Sequence, residues 1–302
     1  MDDDIQGLFA QAECSGQICV QSMDGTRELA IDADKPAVPA SVFKVLVALT
    51  AEAAFAAGTL DPRERITLPG GNPTPGPVGF SLYRDDVEVS LRDLVVPLLT
   101  ISDNVATDAL LRRIGIDAVN EYGLALDLEN TVIVSDLRAT IDSIGQETGF
   151  RNWNSMSAWV AQTEDQAAAD ELGDWMFSVS AVDPARTTRT TVRDMATLLR
   201  LIWTGQGAPP VACARVRELM AQQVTKHRLT VAFPPPVRVA AKSGSLVGVV
   251  RNEVGVIEYP DGDNYVAAVF TQANAGTHND GLVNAAIGQA AAAAVAQLRA
   301  MT

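Results

Sequence analysis

Ser41 and Lys44 stand three positions apart in "PAVPASVFKVLVALT", at the front of an apolar run. Positions i and i+3 share a helix face, so the hydroxyl and the amine can meet there. A partly desolvated lysine, kept neutral by neighbouring cations, can take a serine proton, and a helix N-terminus favours the negative charge that develops nearby. The same two residues also read as an N-cap serine followed by a good helix former, and taken alone that structural reading outweighs the chemical one. Two later groups change the balance. "ISDNVATDALL" sets Ser102, Asp103 and Asn104 at the front of a second helix, and "VAAKSGSLVGVVRNE" sets Lys242, Ser243 and Gly244 on a strand. Each has its own structural reading, a capping triplet and a strand end with a turn residue.

Together and in this order, the three groups match a three-part signature, Ser-x-x-Lys, Ser-Asp-Asn and Lys-Thr-Gly. The chain resembles class A β-lactamase-like serine hydrolases, within the superfamily of penicillin-binding proteins and serine β-lactamases, over nearly its whole length. The resemblance implies an α/β (α+β) sandwich: a five-stranded antiparallel sheet flanked by helices, plus an all-helical lobe, with the site in the cleft between. It implies that Ser41 is acylated with Lys44 as its base, and that Ser102 relays a proton to the leaving group beside the positive potential of Lys242. The N–H groups of Ser41 and Ser245 would hold the oxyanion. Asn104 would bind an amide carbonyl, and Ser243, Gly244, Ser245 and Arg251 would form the wall that grips a substrate carboxylate. Arg251 and Asn252 in "RNEVGVI" and the helix "TTVRDMATLLRLIWTG" also fit the resemblance. Ser243 replaces the usual threonine, which keeps the hydroxyl. A larger departure lies between Ser102 and Lys242, a stretch longer than the resemblance implies. Class A β-lactamases keep there a glutamate followed four positions on by asparagine, which activates the deacylating water. No Glu-x-x-x-Asn occurs between 105 and 190. Counting back from "TTVRDMATLL" leaves Glu171 and Asp174, in "DELGDWMF", as the nearest candidate bases, against the alternative that both are ordinary solvated acids.

Several elements must position these residues. An amphipathic segment over about 4–13 precedes a hairpin, "QICVQSMDGTRELAIDAD", turning at Asp24 and Gly25. A helix from Ser41 stops at Gly58, and "LPGGNPTPGPVG" reads as loop. Two helical patterns part near Thr100, with Pro97 implying a kink or an early end to the first. Residues 116–185 are the least legible; their Trp153, Trp159 and Trp175 read either as a lid over the cleft or as anchors of an inserted helical pair. A helix stopping at Gly205, two or three valine-rich strands and an alanine-rich helix over about 279–300 complete the chain. Strands at both ends imply one sheet and a single unit over 1–302, with 1–58 and 206–302 as the α/β lobe and 59–205 as a helical lobe enlarged around 116–185.

With 302 residues, 47% of them hydrophobic, the chain can bury a large core. A net charge of −14 leaves no basic stripe for a phosphate backbone, so a small molecule is the expected partner and nucleic acid is not. The acidic start "MDDDIQ" is not a secretory leader, which implies a cytoplasmic protein or a secreted one whose leader is gone. No run reads as a membrane span. Cys14, Cys19 and Cys213 read as reduced structural thiols, a Cys14 to Cys19 bridge being the alternative, and no metal or other cofactor is expected. His227 and His278 lie too far apart for a metal pair or a Ser-His-Asp triad. The expected function is hydrolysis of a β-lactam, or of a small carboxylate-bearing ester or amide, through a Ser41 acyl-enzyme. The alternatives are a D-alanyl-type peptidase and a protein that binds β-lactams without turning them over.

Overall fold

The N-terminal helix α1 (Asp2–Gln11) buries Ile5 and Phe9, and leads into a hairpin of β1 (Cys14–Ser22) and β2 (Glu28–Ile31). The Asp24 carboxylate closes its turn by accepting from the Ser22 hydroxyl and from the N–H and hydroxyl of Thr26, and Gly25 supplies the positive φ. The computed structural model describes residues 2–71, 73–276 and 279–301; His278 lies outside the described residues. A 3-10 turn over Ala40–Phe43 runs into α2 (Lys44–Ala57), which ends on left-handed Gly58. The short strands β3 (Arg65–Leu68) and β4 (Val87–Ser90) pair antiparallel on either side of the glycine- and proline-rich loop. Helix α3 (Leu91–Thr100) runs through Pro97, whose carbonyl accepts from both Ile101 and Asp103 and so closes the C-terminus instead of breaking the helix early. Next come α4 (Asn104–Ile114) and α5 (Ile116–Ala125).

The stretch that the sequence left illegible holds α5 and three further helices, α6 (Leu137–Glu147), α7 (Trp153–Val160) and α8 (Gln166–Trp175). It is followed by α9 (Val192–Thr204), α10 (Pro210–Ala221) and the single turn α11 (Leu229–Ala232). The last strands are β5 (Arg238–Leu246), β6 (Val250–Glu258) and β7 (Asn264–Ala273), and α12 (Asp280–Ala300) ends the chain.

The five strands other than β3 and β4 pair antiparallel in the order β2-β1-β7-β6-β5, so the two ends of the chain share one sheet. Strands β6 and β7 are buried on both faces, which explains why "VAAVF" reads as a continuous apolar run. Val254, Val256, Val266 and Ala268 face a core shared with α2, α3, α4, α9 and α10. Ile257, Tyr265, Ala267 and Val269 face a second core under α1 and α12. A third, smaller cluster joins Ile144, Met156 and Ala181 of the inserted region to Val249 and Val250 at the tip of β5 and β6.

Cys14, Cys19 and Cys213 are free, buried thiols. Five positions apart on one strand, Cys14 and Cys19 point to opposite faces of the sheet and into different cores, which rules out the bridge between them. Residues Ala40–Ala57 and Asp280–Ala300, which the sequence reading did not take as spans, are each long and apolar enough to cross a membrane by length and composition; in this fold α2 is buried on all sides over its first two turns and α12 lays one side into a core.

Candidate active site

Ser41 does not cap α2. It is half-buried within the 3-10 turn, whose N-cap is Pro39, and no side-chain cap bond forms at that turn or at the start of α2. The residue before it, Ala40, is held at φ 47°, a left-handed conformation that costs a non-glycine residue roughly 1–3 kcal/mol and persists only where its surroundings enforce it. Asn252 on β6 supplies part of that enforcement. Its amide donates to the carbonyls of Val38 at 2.9 Å and Pro39 at 3.0 Å, while its Oδ1 accepts from Thr271 N–H. Gly244 supplies the rest by letting β5 close on the turn. A Cβ there would stand 2.8 Å from the Pro39 oxygen and 2.9 Å from the Ser41 nitrogen. Because both neighbours are backbone atoms, Gly244→Ala must push β5 away from Ser41. We expect it to lower both the melting temperature and the acylation rate of Ser41, the rate by about tenfold or more given how steeply misplaced reacting groups lose rate; thermal unfolding and adduct kinetics check this.

Lys44 enters the same place from the first turn of α2. Its side chain is fully buried, and its Nζ donates to the Ser102 carbonyl at 2.7 Å, the Asn104 Oδ1 at 2.7 Å and the Ser102 hydroxyl at 3.2 Å. Burial lowers the Lys44 pKa to about 7, although Asp103 and Asp108 partly oppose the shift. Near neutral pH much of the amine is therefore unprotonated. Ser102, at φ 64°, is held clear of the helix that follows, because the cap of α4 is Asp103. The Asp103 carboxylate accepts from Ala106 N–H and Phe80 N–H, tying the second motif to the segment before β4. Asn104 sends its amide to the Pro75 carbonyl at 2.8 Å, which fixes its oxygen toward Lys44.

On β5, Lys242 is fully buried and donates to the Ser243 carbonyl at 2.7 Å. Burial, and after it the nearby Lys44, lowers its pKa well below the ordinary lysine value. Two arginines also stand near this end of the site. Arg251 lies opposite Ser245 in the strand register, yet its guanidinium is held in an ion pair by Asp280 and does not line the cavity around Ser41. Arg228 is the other. Almost wholly buried, it donates to the carbonyls of Gly244 at 2.9 Å and Asn252 at 2.6 Å, and to the Ser245 hydroxyl at 2.6 Å. Burial lowers its pKa to about 10, which leaves it a cation at neutral pH. Ser243 is buried, its N–H donating to Gln223, whose amide group in turn donates to the buried Glu253.

A cavity of about 530 Å³ opens over Ser41. Asn104, Ser135, Thr140, Ser157, Thr187, Thr188 and Ser245 supply its polar side chains, and none of its lining residues is a carboxylate. Glu171 and Asp174 are exposed on α8 and are not among the described residues that line the cavity. The position facing the cavity at the start of the inserted region is Leu137. Its N–H and that of Arg138 are fixed at 2.8 and 2.9 Å by Asp108 of α4, a carboxylate that also accepts from the Thr74 hydroxyl. Arg228, Gln223 and Asp108 escaped the sequence reading, whereas Asn252 enters it only as fitting the resemblance. Only "KHR" before α11 carried any signal, as a basic cluster in an acidic chain.

Comparisons with known proteins bear on the fold and the family. Beta-lactamase regulatory protein BlaB of Streptomyces cacaoi is 28% identical over 283 residues, 89% of this chain and 88% of that protein. Among solved structures, PBP-A superposes with a TM-score of 0.76 at 22% identity, covering 99% of this chain and 96% of that one. A β-lactamase from Sphaerobacter thermophilus gives a TM-score of 0.76 at 23% identity, covering 100% and 99%. At such identities these structures speak for the fold. The model of the Beta-lactamase enzyme family matches residues 1–298, from the first helix to the end of the last, and so spans all three motifs that meet around Lys44 and Gly244: this chain belongs to the Beta-lactamase enzyme family.

Proposed function

We propose that the protein is a serine hydrolase that works through a Ser41 acyl-enzyme on small carboxylate-bearing esters or amides, and that β-lactams acylate it but leave slowly. The observation that carries this reading is the Lys44 amine, buried at the Ser102 hydroxyl with its pKa brought down to about 7. A neutral Lys44 takes the Ser41 proton as Oγ attacks the carbonyl carbon. The carbonyl oxygen gains the negative charge between the N–H groups of Ser41 and Ser245. On collapse the acyl–leaving-group bond breaks, and the proton passes from Lys44 through Ser102 to the departing oxygen or nitrogen. Asn104 orients the acyl amide, and Arg228, through the Ser245 hydroxyl, favours a carboxylate at that end.

Deacylation divides substrates. A simple ester loses its alcohol, and water can then approach with Lys44 as base. A β-lactam keeps its opened ring tethered over the acyl carbon, and no carboxylate lines the cavity to activate a water from the opposite side. The same feature favours a second reading, a β-lactam-binding protein without turnover, which also accords with the regulatory name of the relative BlaB.

Parallel assays separate the two readings. With p-nitrophenyl acetate the first requires steady release of p-nitrophenol, while benzylpenicillin leaves an adduct that persists by intact mass. Adducts from both compounds with no steady turnover of either would support the second. Steady hydrolysis of benzylpenicillin would remove both. A pH profile adds a check. The catalytic form of Lys44 is unprotonated, so the second-order acylation rate should rise about tenfold per pH unit below 7 and level off above it. A rate unchanged from pH 5.5 to 8.5 would take the base role from Lys44.

A further inference from the structure

Helix α6 carries Leu137, Ile141 and Ile144 at i, i+4 and i+7, an apolar stripe of the kind that normally docks onto a core. Here all three side chains line the cavity above Ser41. Trp153 at the start of α7, Ala181 in the 3-10 turn Ser180–Val182, and Leu246 at the end of β5 continue the apolar lining. This wall is built firmly. Gly145 lets α6 close on the Asn152–Trp153 backbone, where a Cβ would stand 2.3 Å from the Asn152 carbonyl carbon. Asn152 and Ser155 form a reciprocal capping box at the start of α7, and the Trp153 N–H donates to Asp142 of α6. Ile144 and Ala181 of this lining also pack with Met156, Val249 and Val250 in the third hydrophobic cluster. Among the described residues no lining side chain carries a charge, and the polar groups are hydroxyls, the Asn104 amide and the Trp153 indole N–H. The volume of about 530 Å³ lies within the range of small-molecule sites.

We infer that the inserted helices form an acyl-group subsite, which selects substrates bearing an extended, uncharged apolar acyl chain. This rests on the Ser41 acyl-enzyme reading and adds the substrate class to it. The carboxylate-favouring end lies at Ser245 and Arg228, so the acyl chain runs the other way, along α6. An ammonium on that chain would lose its water without meeting any carboxylate, and is rejected.

The test compares kcat/KM for p-nitrophenyl acetate, hexanoate, octanoate and 6-aminohexanoate, alongside tryptophan-fluorescence titration of octanamide into the Ser41→Ala variant. We expect octanoate to exceed acetate, and hexanoate to exceed 6-aminohexanoate, each by about tenfold or more. Ile141→Trp, which fills the cavity, should bring the octanoate to acetate ratio near unity and abolish octanamide binding. Trp175→Ala, an exposed position on α8 outside the cavity, should keep the ratio. Equal rates for octanoate and acetate in the unaltered protein, or an unchanged ratio in Ile141→Trp, would overturn the subsite. Should no ester acylate Ser41, octanamide binding decides it: binding that Ile141→Trp removes would uphold the apolar subsite while the acyl-enzyme reading falls, and absent binding would overturn the subsite too.

Discussion

Lys44→Met is expected to slow acylation by benzylpenicillin about 10²- to 10⁴-fold, the range lost when a positioned general base is removed. The unbranched thioether keeps most of the side-chain volume, so a collapsed site would not account for the loss. The variant should also lose the rise in rate through pH 7, since the group that titrates there is gone. Stability should respond in the opposite sense. Burial lowers the lysine's folded pKa to about 7 from an ordinary 10.5. Its stabilising contribution is therefore complete only above the ordinary value and is lost as the pH falls toward 7. A methionine has no such dependence, and the melting temperatures of the two proteins should converge as the pH rises from 7 to 10. Intact-mass kinetics and thermal unfolding across that range check both statements.

Leu137→Glu is expected to shorten the life of the benzylpenicillin adduct by about a hundredfold, within the usual range for general-base catalysis. Leu137 is the first residue of α6, its side chain lines the cavity with Ser41, and its N–H is fixed by Asp108. A carboxylate at a helix N-terminus is favoured in its ionised form, the form a general base needs. Acylation should change far less than adduct loss. An adduct as long-lived as in the unaltered protein would mean that water does not reach the acyl carbon from the α6 side.

What could be read in the sequence and what could not divide along physical lines. The three motifs are short and local, so their residue types and order were visible, and the sheet followed from β-branched alternation at both chain ends. The insertion was not legible because α6, α7 and α8 are short and bury few residues, so their apolar patterns are weak; the stripe of Leu137, Ile141 and Ile144 lines the cavity, and only Ile144 also joins the small third core. Arg228 could not be found from pattern, since it acts through bonds to Gly244, Asn252 and Ser245 that only the folded chain brings near. Distance along the sequence also said nothing about which helix of the insertion meets the cavity: α6 lines it, and Glu171 and Asp174 of α8 are not among the lining residues. The short pair β3 and β4, four residues each around a glycine- and proline-rich loop, was likewise too brief to stand out.

The most direct measurement is peptide mapping of the protein after brief exposure to benzylpenicillin, with Ser41→Ala treated in parallel. The expected result is one penicilloyl group per chain, located on Ser41, and no adduct on the variant. An adduct located on any other residue, or one that Ser41→Ala forms as fast as the unaltered protein, would contradict the assignment of Ser41 as the nucleophile.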